Sequence, residues 1–510
     1  SDVYKRQQYS YTGNAIETFY NGAWSPVNAQ SSMWTSCYKA IANCNNYLEE
    51  FTGLTFSEYE QISDYEAEMY RYNNYQYEVR FLRAYFYFNL VRQYGDVPFT
   101  DHVLSTTEVN TLTRKPAQEV FDWIIKECDE IKDLIIPDYN NLGALVPSGE
   151  SAETGRANKR TVLALKARTA LYAASPLFNS HQEGSQGYKE LWYRAAKANK
   201  ELIETCEDAG MRLIDDYENL WDAKSYSIAI DELIFGCRAI RATNSFEKYN
   251  FPVGLENCRG GNCPTQTLVD AYELKDSGER PDKKADYDKN KPYYEGRDPR
   301  FEKTIAKNGD TKWPNWNETA LETYQGGANA EPLSGGTPTG YYLKKYCQTS
   351  INTTTAKPTT DNHTWIIYRL GEFYLNYAEA LFKYLGTAYA TNNEFPIPAN
   401  EMVSKTRRRT KVNMPKFPAG LDNKLWWEKY QNERMVELAF EGHRFWDVRR
   451  WKEGDKHFSS IDEMKIYKSG DSYSYRRVTV NRQWDDKMYF FPIPQSEKAK
   501  NPNLTQNPGW

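Results

Sequence analysis

Glu78-Val79-Arg80-Phe81-Leu82-Arg83-Ala84-Tyr85-Phe86-Tyr87-Phe88-Asn89-Leu90 decides the fold. Val79, Leu82, Phe86 and Leu90 recur at helical spacing, which predicts an amphipathic helix with one apolar stripe. Arg83 lies about 40° from Val79 around that helix, so its guanidinium has to find a carboxylate or backbone carbonyls inside. A buried structural arginine is the favoured reading over a ligand-binding one. Gly95-Asp96-Val97-Pro98 then turns the chain into an extended segment. The whole helix is expected over residues 58–94.

Working outward, helical spacing recurs over residues 33–51 (Trp34, Tyr38, Ile41, Leu48, with Gly53 as a stop) and over 115–136, which opens with Pro116 and ends before Pro137. Residues 156–174, 188–208, 364–385, 399–409 and 425–451 follow. Successive long helices joined by short turns suggest stacked helix pairs, and Ala164, Ala167 and Ala170 supply small residues at helical spacing. Short strands are expected over 233–240, 301–306, 465–467 with 477–480, and 488–493. Between them run loops at 242–264, 276–300, 308–340 and 348–363, rich in Gly, Asn, Thr, Pro and Lys yet carrying many aromatics. Loops this long on a helical frame are the usual arrangement of a binding protein.

Composition narrows the function classes. The 510 residues carry 64 basic and 69 acidic side chains, a formal net charge of -5 with no long basic block, which argues against nucleic acid as the main partner. With 40% hydrophobic residues, including 40 Tyr, 22 Phe and 14 Trp, the chain can build a large core. Length alone suggests about three domains, or one large helical-repeat body. No stretch approaches the roughly 18 apolar residues of a membrane span. The chain opens Ser1-Asp2-Val3-Tyr4-Lys5-Arg6, which reads as a fragment or as a chain whose export signal has been removed. Cys37 and Cys44 share one helix face without bridging. Cys258 and Cys263 either close a small loop disulfide or stand as free thiols. No zinc site is visible.

Three constellations invite chemistry. Glu437, Glu441 and His443 suggest acid/base work, but His443 points away from the two glutamates on a continuous helix. Arg434, Glu437, Glu441 and Arg444 share one stripe and predict a structural ion ladder, with Gly442 admitting a neighbouring backbone. Outside helices, Trp24, Trp313 and Trp316 stand among Pro, Asn, Ser and Gly, and Tyr324 and Tyr341 belong to the same late loop. A flat ring beside Asn315 or Asn317 suits a sugar, whose C–H face packs on the ring while its hydroxyls bond to amides; such rings also serve to pack loops onto a body. Catalytic signatures are missing: no nucleophile elbow, zincin motif, Walker loop or dinucleotide fingerprint. A glycosidase carboxylate pair stays open, because its acids can lie far apart in the chain.

Six stretches resemble the SusD/RagB family of outer-membrane nutrient-binding lipoproteins of Bacteroidetes, in family order across nearly the whole chain. They are Arg80 to Tyr85 running to Tyr94-Gly95-Asp96-Val97-Pro98; Ala164-Leu165-Lys166-Ala167-Arg168 to Ser175-Pro176-Leu177-Phe178-Asn179; Asp298-Pro299-Arg300-Phe301; Tyr368-Arg369-Leu370-Gly371-Glu372 to Tyr377-Ala378-Glu379-Ala380; Glu437 to Trp451; and Phe491-Pro492-Ile493-Pro494 with Asn501 to Gly509. The resemblance implies a mainly α, SusD-like fold in which tetratricopeptide-like helix pairs support a loop-rich lobe with a few short strands. It also implies an outer-membrane protein, lipid-anchored and facing outward, that partners a SusC-like TonB-dependent transporter. The family's ligand loops vary too much to carry contact residues over.

The resulting expectation is a single SusD-like body over 1–510: helix pairs in 1–220, a ligand lobe in 221–361, RagB/SusD helices in 362–455, and a hairpin and tail in 456–510. Its expected function is non-enzymatic capture of an oligosaccharide or polysaccharide, contacted by Trp24, Trp313, Trp316, Tyr324, Tyr341, Asn315 and Asn317, for delivery to the transporter. The alternatives are a helical glycoside hydrolase or lyase, or a binder of a non-glycan nutrient such as peptide. No cofactor is expected; a structural Ca²⁺ is not readable from sequence.

Overall fold

The helix through Phe81 begins at Tyr65 rather than at residue 58 and runs to Tyr94. In the computed structural model, which describes residues 8–10, 17–139, 142–145, 155–238 and 241–510, it is the second of five long helices that follow one another among residues 25–209. These are α1 (Trp34–Glu50), α2 (Tyr65–Tyr94), α3 (Ala117–Ile131), α4 (Lys159–Ala174) and α5 (Gln186–Asp208), each packed against the next. Together with residues 486–510 they make one of two compact units, spanning 25–209 and 486–510. Side-chain caps start two of them: the Asn158 side chain accepts from the Thr161 amide, and Ser185 from the Tyr188 amide.

Because α2 packs on both α1 and α3, one stripe does not describe its burial. Phe81, Ala84, Phe88 and Val91 are completely buried, whereas Val79, Leu82 and Phe86 are only half-buried. Arg83 behaves as expected: its guanidinium donates to Asn45 Oδ1 at 2.9 Å and to the Asp101 carbonyl at 2.7 Å, with Glu127 at 3.4 Å. Fully buried Ala164, Ala167 and Ala170 leave room for rings, and the Phe88 and Tyr172 rings meet edge-on at 5.1 Å. The chain's tail closes this unit: the Asn507 amide donates to the Tyr94 and Phe491 carbonyls, and the Phe491 amide to Gln93.

The other unit takes residues 1–24 and 210–485. Strand β1 (Leu233–Arg238) runs antiparallel to β2 (Thr364–Arg369), and helix α6 (Leu370–Leu385) follows β2 directly. Residues 364–385, expected as one helix, therefore divide into strand and helix; the β-branched Thr364, Ile366 and Ile367 favour the extended half. Helices α7 (Ala399–Arg407), α8 (Asn423–Glu437) and α9 (Arg444–Arg450) come next. The expected 425–451 helix is broken between α8 and α9, where Phe440 and Gly442 take φ of 60° and 82°. Gly442, free of a Cβ, suits the positive φ of this turn. Strands β3 (Ser460–Ser469) and β4 (Ser472–Asn481) form a hairpin paired along its whole length, longer than expected. Residues 301–306 begin inside a short helix (Pro299–Thr304) and only Ile305–Ala306 is strand, paired with Tyr342–Leu343. Residues 488–493 are no strand, since Pro492 and Pro494 interrupt any ladder. Leu268, Phe301, Tyr341, Val436 and Ile466 build the main core, and Phe251, Trp313 and Leu321 a smaller one. Cys258 and Cys263 are free thiols.

Candidate functional site

The glutamates that invited an acid/base reading are buried in an ion network. The register of β1 and β2 sets Leu233 opposite Arg369, which brings Glu232 beside the guanidinium. The last turn of α8 contributes Glu433 and Glu437, and the break after it contributes Glu441. Arg369 reaches Glu232, Glu437 and Glu441 at 2.7–2.9 Å; Arg300 reaches Glu433 and Glu437 at 2.7 Å. Burial pushes the Glu437 carboxyl up, but Arg409, Arg369 and Arg300 outweigh it and hold the group far below the ordinary range. The expected ladder along one helix does not form. Arg434 turns instead to Asp447, at 2.7 Å, and Glu441 is shared by Arg369 and Lys345. Carboxylates locked in this way hold segments together and are not free to shuttle protons.

The aromatic residues singled out from sequence mostly pack loops. Trp24, Trp313, Asn317 and Tyr341 are at most 6% exposed. Trp24 lies edge-on to Phe19 at 4.7 Å, Trp313 meets Phe251 at 5.4 Å, and the Tyr341 hydroxyl donates to Gln266. Rings so enclosed have no face left for a ligand, and Asn317 spends its amide on the Thr319 carbonyl. Trp316 is half-buried, its indole N–H donating to the Ile351 carbonyl, while Asn315 is exposed. Trp313 and Trp316 therefore do not form one platform. Tyr324 is half-buried beside the Tyr473 ring, at 5.9 Å, with the Lys468 ammonium 5.0 Å from its centroid.

Apart from Tyr467 and Tyr473 on the β3–β4 hairpin, the exposed rings lie in the helical unit. Between α1 and α2, residues 51–64 run through tight turns: the Tyr59 amide donates to the Phe56 carbonyl and the Ile62 amide to Tyr59. These turns leave Phe56, Tyr59 and Ile62 on the surface. Tyr65, Met69, Tyr72 and Tyr75 rise from the first turns of α2, and together the residues line a concavity of about 330 Å³ with Asp64 and Glu68 among its walls. Phe56 meets Tyr72 edge-on at 5.2 Å, Phe51 backs Tyr72 at 5.2 Å, and the Tyr65 hydroxyl donates to the Thr55 carbonyl. Burial, reinforced by Tyr72, Tyr75 and Glu78, raises the Tyr47 phenol behind this wall. Apolar ring faces beside carboxylates are what a pyranose needs. A larger concavity of about 620 Å³ in the other unit has no Phe, Tyr or Trp in its lining, and its Asp270 and Glu273 are committed to Arg477 and Arg407. The sequence reading assigned residues 58–64 to a helix. The missed signal is the run of Gly53, Thr55, Ser57 and Ser63 among rings, which is turn chemistry.

Among the described residues no cluster of His, Cys, Asp and Glu is placed to hold a metal ion, and no helix is long and apolar enough to cross a membrane. The model of the SusD family matches residues 232–510, and a second, described as starch-binding and associating with the outer membrane, matches residues 2–171. SusD-like protein P2 of Formosa agariphila is 23% identical over 491 residues, covering 94% of this chain and 80% of its own. A SusD-like protein of Bacteroides fragilis superposes with a TM-score of 0.77 at 26% identity, over 99% of this chain and 92% of that one. A SusD-like carbohydrate-binding protein of the same species gives 0.75 at 24%, over 98% and 91%.

Proposed function

We propose a non-catalytic, glycan-binding role for this chain, which belongs to the SusD family. It captures an oligosaccharide or polysaccharide at the outward face of the outer membrane, held there by an N-terminal lipid, and delivers it to a SusC-like TonB-dependent transporter. The observation that carries the binding step is the solvent-facing aromatic concavity around Phe56, Tyr59 and Tyr72, with Asp64 and Glu68 in its lining. A solved relative described as carbohydrate-binding supports the same reading. Trp316, Asn315 and Tyr324 keep exposed surface and are proposed as a separate, secondary contact patch.

Incubation with a panel of polysaccharides tests this. Retardation in glycan-containing gels, or heat on titration, without new reducing ends is the expected result. Product formation would overturn the non-catalytic reading, and binding of peptides alone would overturn the glycan.

A further inference from the structure

Arg444 is the member of the expected ion ladder that finds no carboxylate. It is 6% exposed, and its Nε and Nη1 are buried without an acceptor among the described residues. Its Nη2 donates to the His457 ring nitrogen across a long 3.3 Å. The carboxylates that act on it from further off are already shared: Asp447 by Arg434 and Arg450 at 2.7 and 2.9 Å, Glu453 by Lys456 and His457 at 3.3 and 3.0 Å. Burial lowers the Arg444 pKa to about 10, as expected of a cation kept inside without an adequate partner. This side chain stands in the lining of the 620 Å³ concavity, which Lys283 and Lys456 also line. The acidic side chains there do not reach it, since Asp270 and Asp462 are held by Arg477, Glu273 by Arg407 and Asp282 by Arg280.

From this we infer that the concavity is a second binding site, which takes an anionic oxygen group of a glycan, a uronate carboxylate or a sulfate ester, on the Arg444 guanidinium. The inference shares with the proposed function the premise that the ligand is a glycan, and it does not depend on the aromatic concavity. Anionic oxygens supply the charge-assisted acceptors that Nε and Nη1 lack. To turn toward them the side chain gives up one long bond. The planar fork of donors suits carboxylate and sulfate alike. A neutral sugar brings no charge to offset that of the guanidinium.

The test titrates the whole chain with oligosaccharide pairs that differ in charge: oligogalacturonate against its methyl ester, and carrageenan against agarose oligosaccharides. The anionic member of one pair or both is expected to bind at least about tenfold more tightly, the gap narrowing as salt rises. Which pair shows the gap tells carboxylate from sulfate. Arg444→Met removes the guanidinium and keeps the bulk. It should close the gap and leave melting temperature unchanged or higher, because it deletes a buried charge that lacks a partner. A marked fall in melting temperature would assign the arginine to the frame and overturn the inference. So would equal binding within both pairs, or a gap that survives Arg444→Met. The two sites fail separately. A chain that binds anionic glycans alone, and loses them in Arg444→Met, keeps this site and loses the aromatic one; a chain that binds neutral and anionic glycans equally keeps the aromatic site and loses this one.

Discussion

Arg369 grips both oxygens of the Glu441 carboxylate, Nε at 2.7 Å and Nη2 at 2.9 Å, where neither side chain meets solvent. The geometry is bidentate and charge-assisted, and it ties the start of α6 to the turn between α8 and α9. Lys345 takes the same carboxylate at 2.7 Å; burial lowers its pKa to about 8 even with Glu441 beside it. Glu441→Ala leaves two cations buried without that partner, a loss of about 3–5 kcal/mol. Denaturant unfolding should show it directly. A variant of unchanged stability that has lost only glycan binding would refute the structural role.

Phe56→Ala and Tyr59→Ala remove exposed rings, so stability should change by no more than about 0.5 kcal/mol. Loss of a stacking contact at about 2 kcal/mol weakens binding around thirtyfold. Titration with whichever glycan the panel identifies, after a check of melting temperature, reads both.

Trp313→Ala should do the reverse. Its ring is enclosed by Phe251, Leu321 and Tyr342, and truncation opens a cavity at about 3–5 kcal/mol. Glycan affinity of the folded fraction at the Phe56 site is expected to match the wild type. A fully stable variant that binds more weakly would return the ligand to the late loop.

The Asn507 amide caps two carbonyls, and its oxygen accepts from Arg114 at 2.5 Å. Asn507→Ala strands these buried groups at about 1–3 kcal/mol. Hydrogen exchange should rise at the end of α2, where the Tyr94 carbonyl no longer accepts from Asn507.

Acid should destabilise the protein through its depressed carboxyls. Burial pushes Glu453 up, but bonds from His457 and Gln431, with Lys456 nearby, bring it down to about 2. In the unfolded chain a glutamate titrates near 4.3, so between about 4.3 and 2 the unfolded state binds protons that the folded state refuses. Stability from this group is complete above that window and is lost as pH falls through it. Glu437, Glu232, Glu379 and Asp447 are depressed by buried arginines and act in the same direction. Melting temperature followed from pH 7 downward checks this, and Glu453→Gln should flatten part of the slope below about pH 4.

The helical frame was legible because its determinants are local. Spacing placed α1 to α5, and Arg83 on an apolar helix announced its own partners. Two boundaries were illegible for physical reasons. Trp365 to Tyr368 is a short apolar run, too brief for strand and helix periods to be told apart in it. Phe440 adopts a left-handed conformation that its own side chain does not favour, and tertiary ion pairs to Glu437 and Glu441 hold the turn in place. Within the candidate site, ring chemistry was visible but ring exposure was not. Trp313 beside Pro and Asn looks like Tyr59 beside Ser and Glu; which of them faces water depends on the chain that comes to cover it.

Residues 486–510 pack with α1 to α5, although some 276 residues of another unit are written between them. On the ribosome α1 to α5 therefore wait for residues 486–510 before Tyr94, Gln93 and Arg114 find these partners. Contacts of such sequence separation form late and slowly. A chain stopped before Phe491 would carry all five long helices of this unit and still lack the piece that closes them.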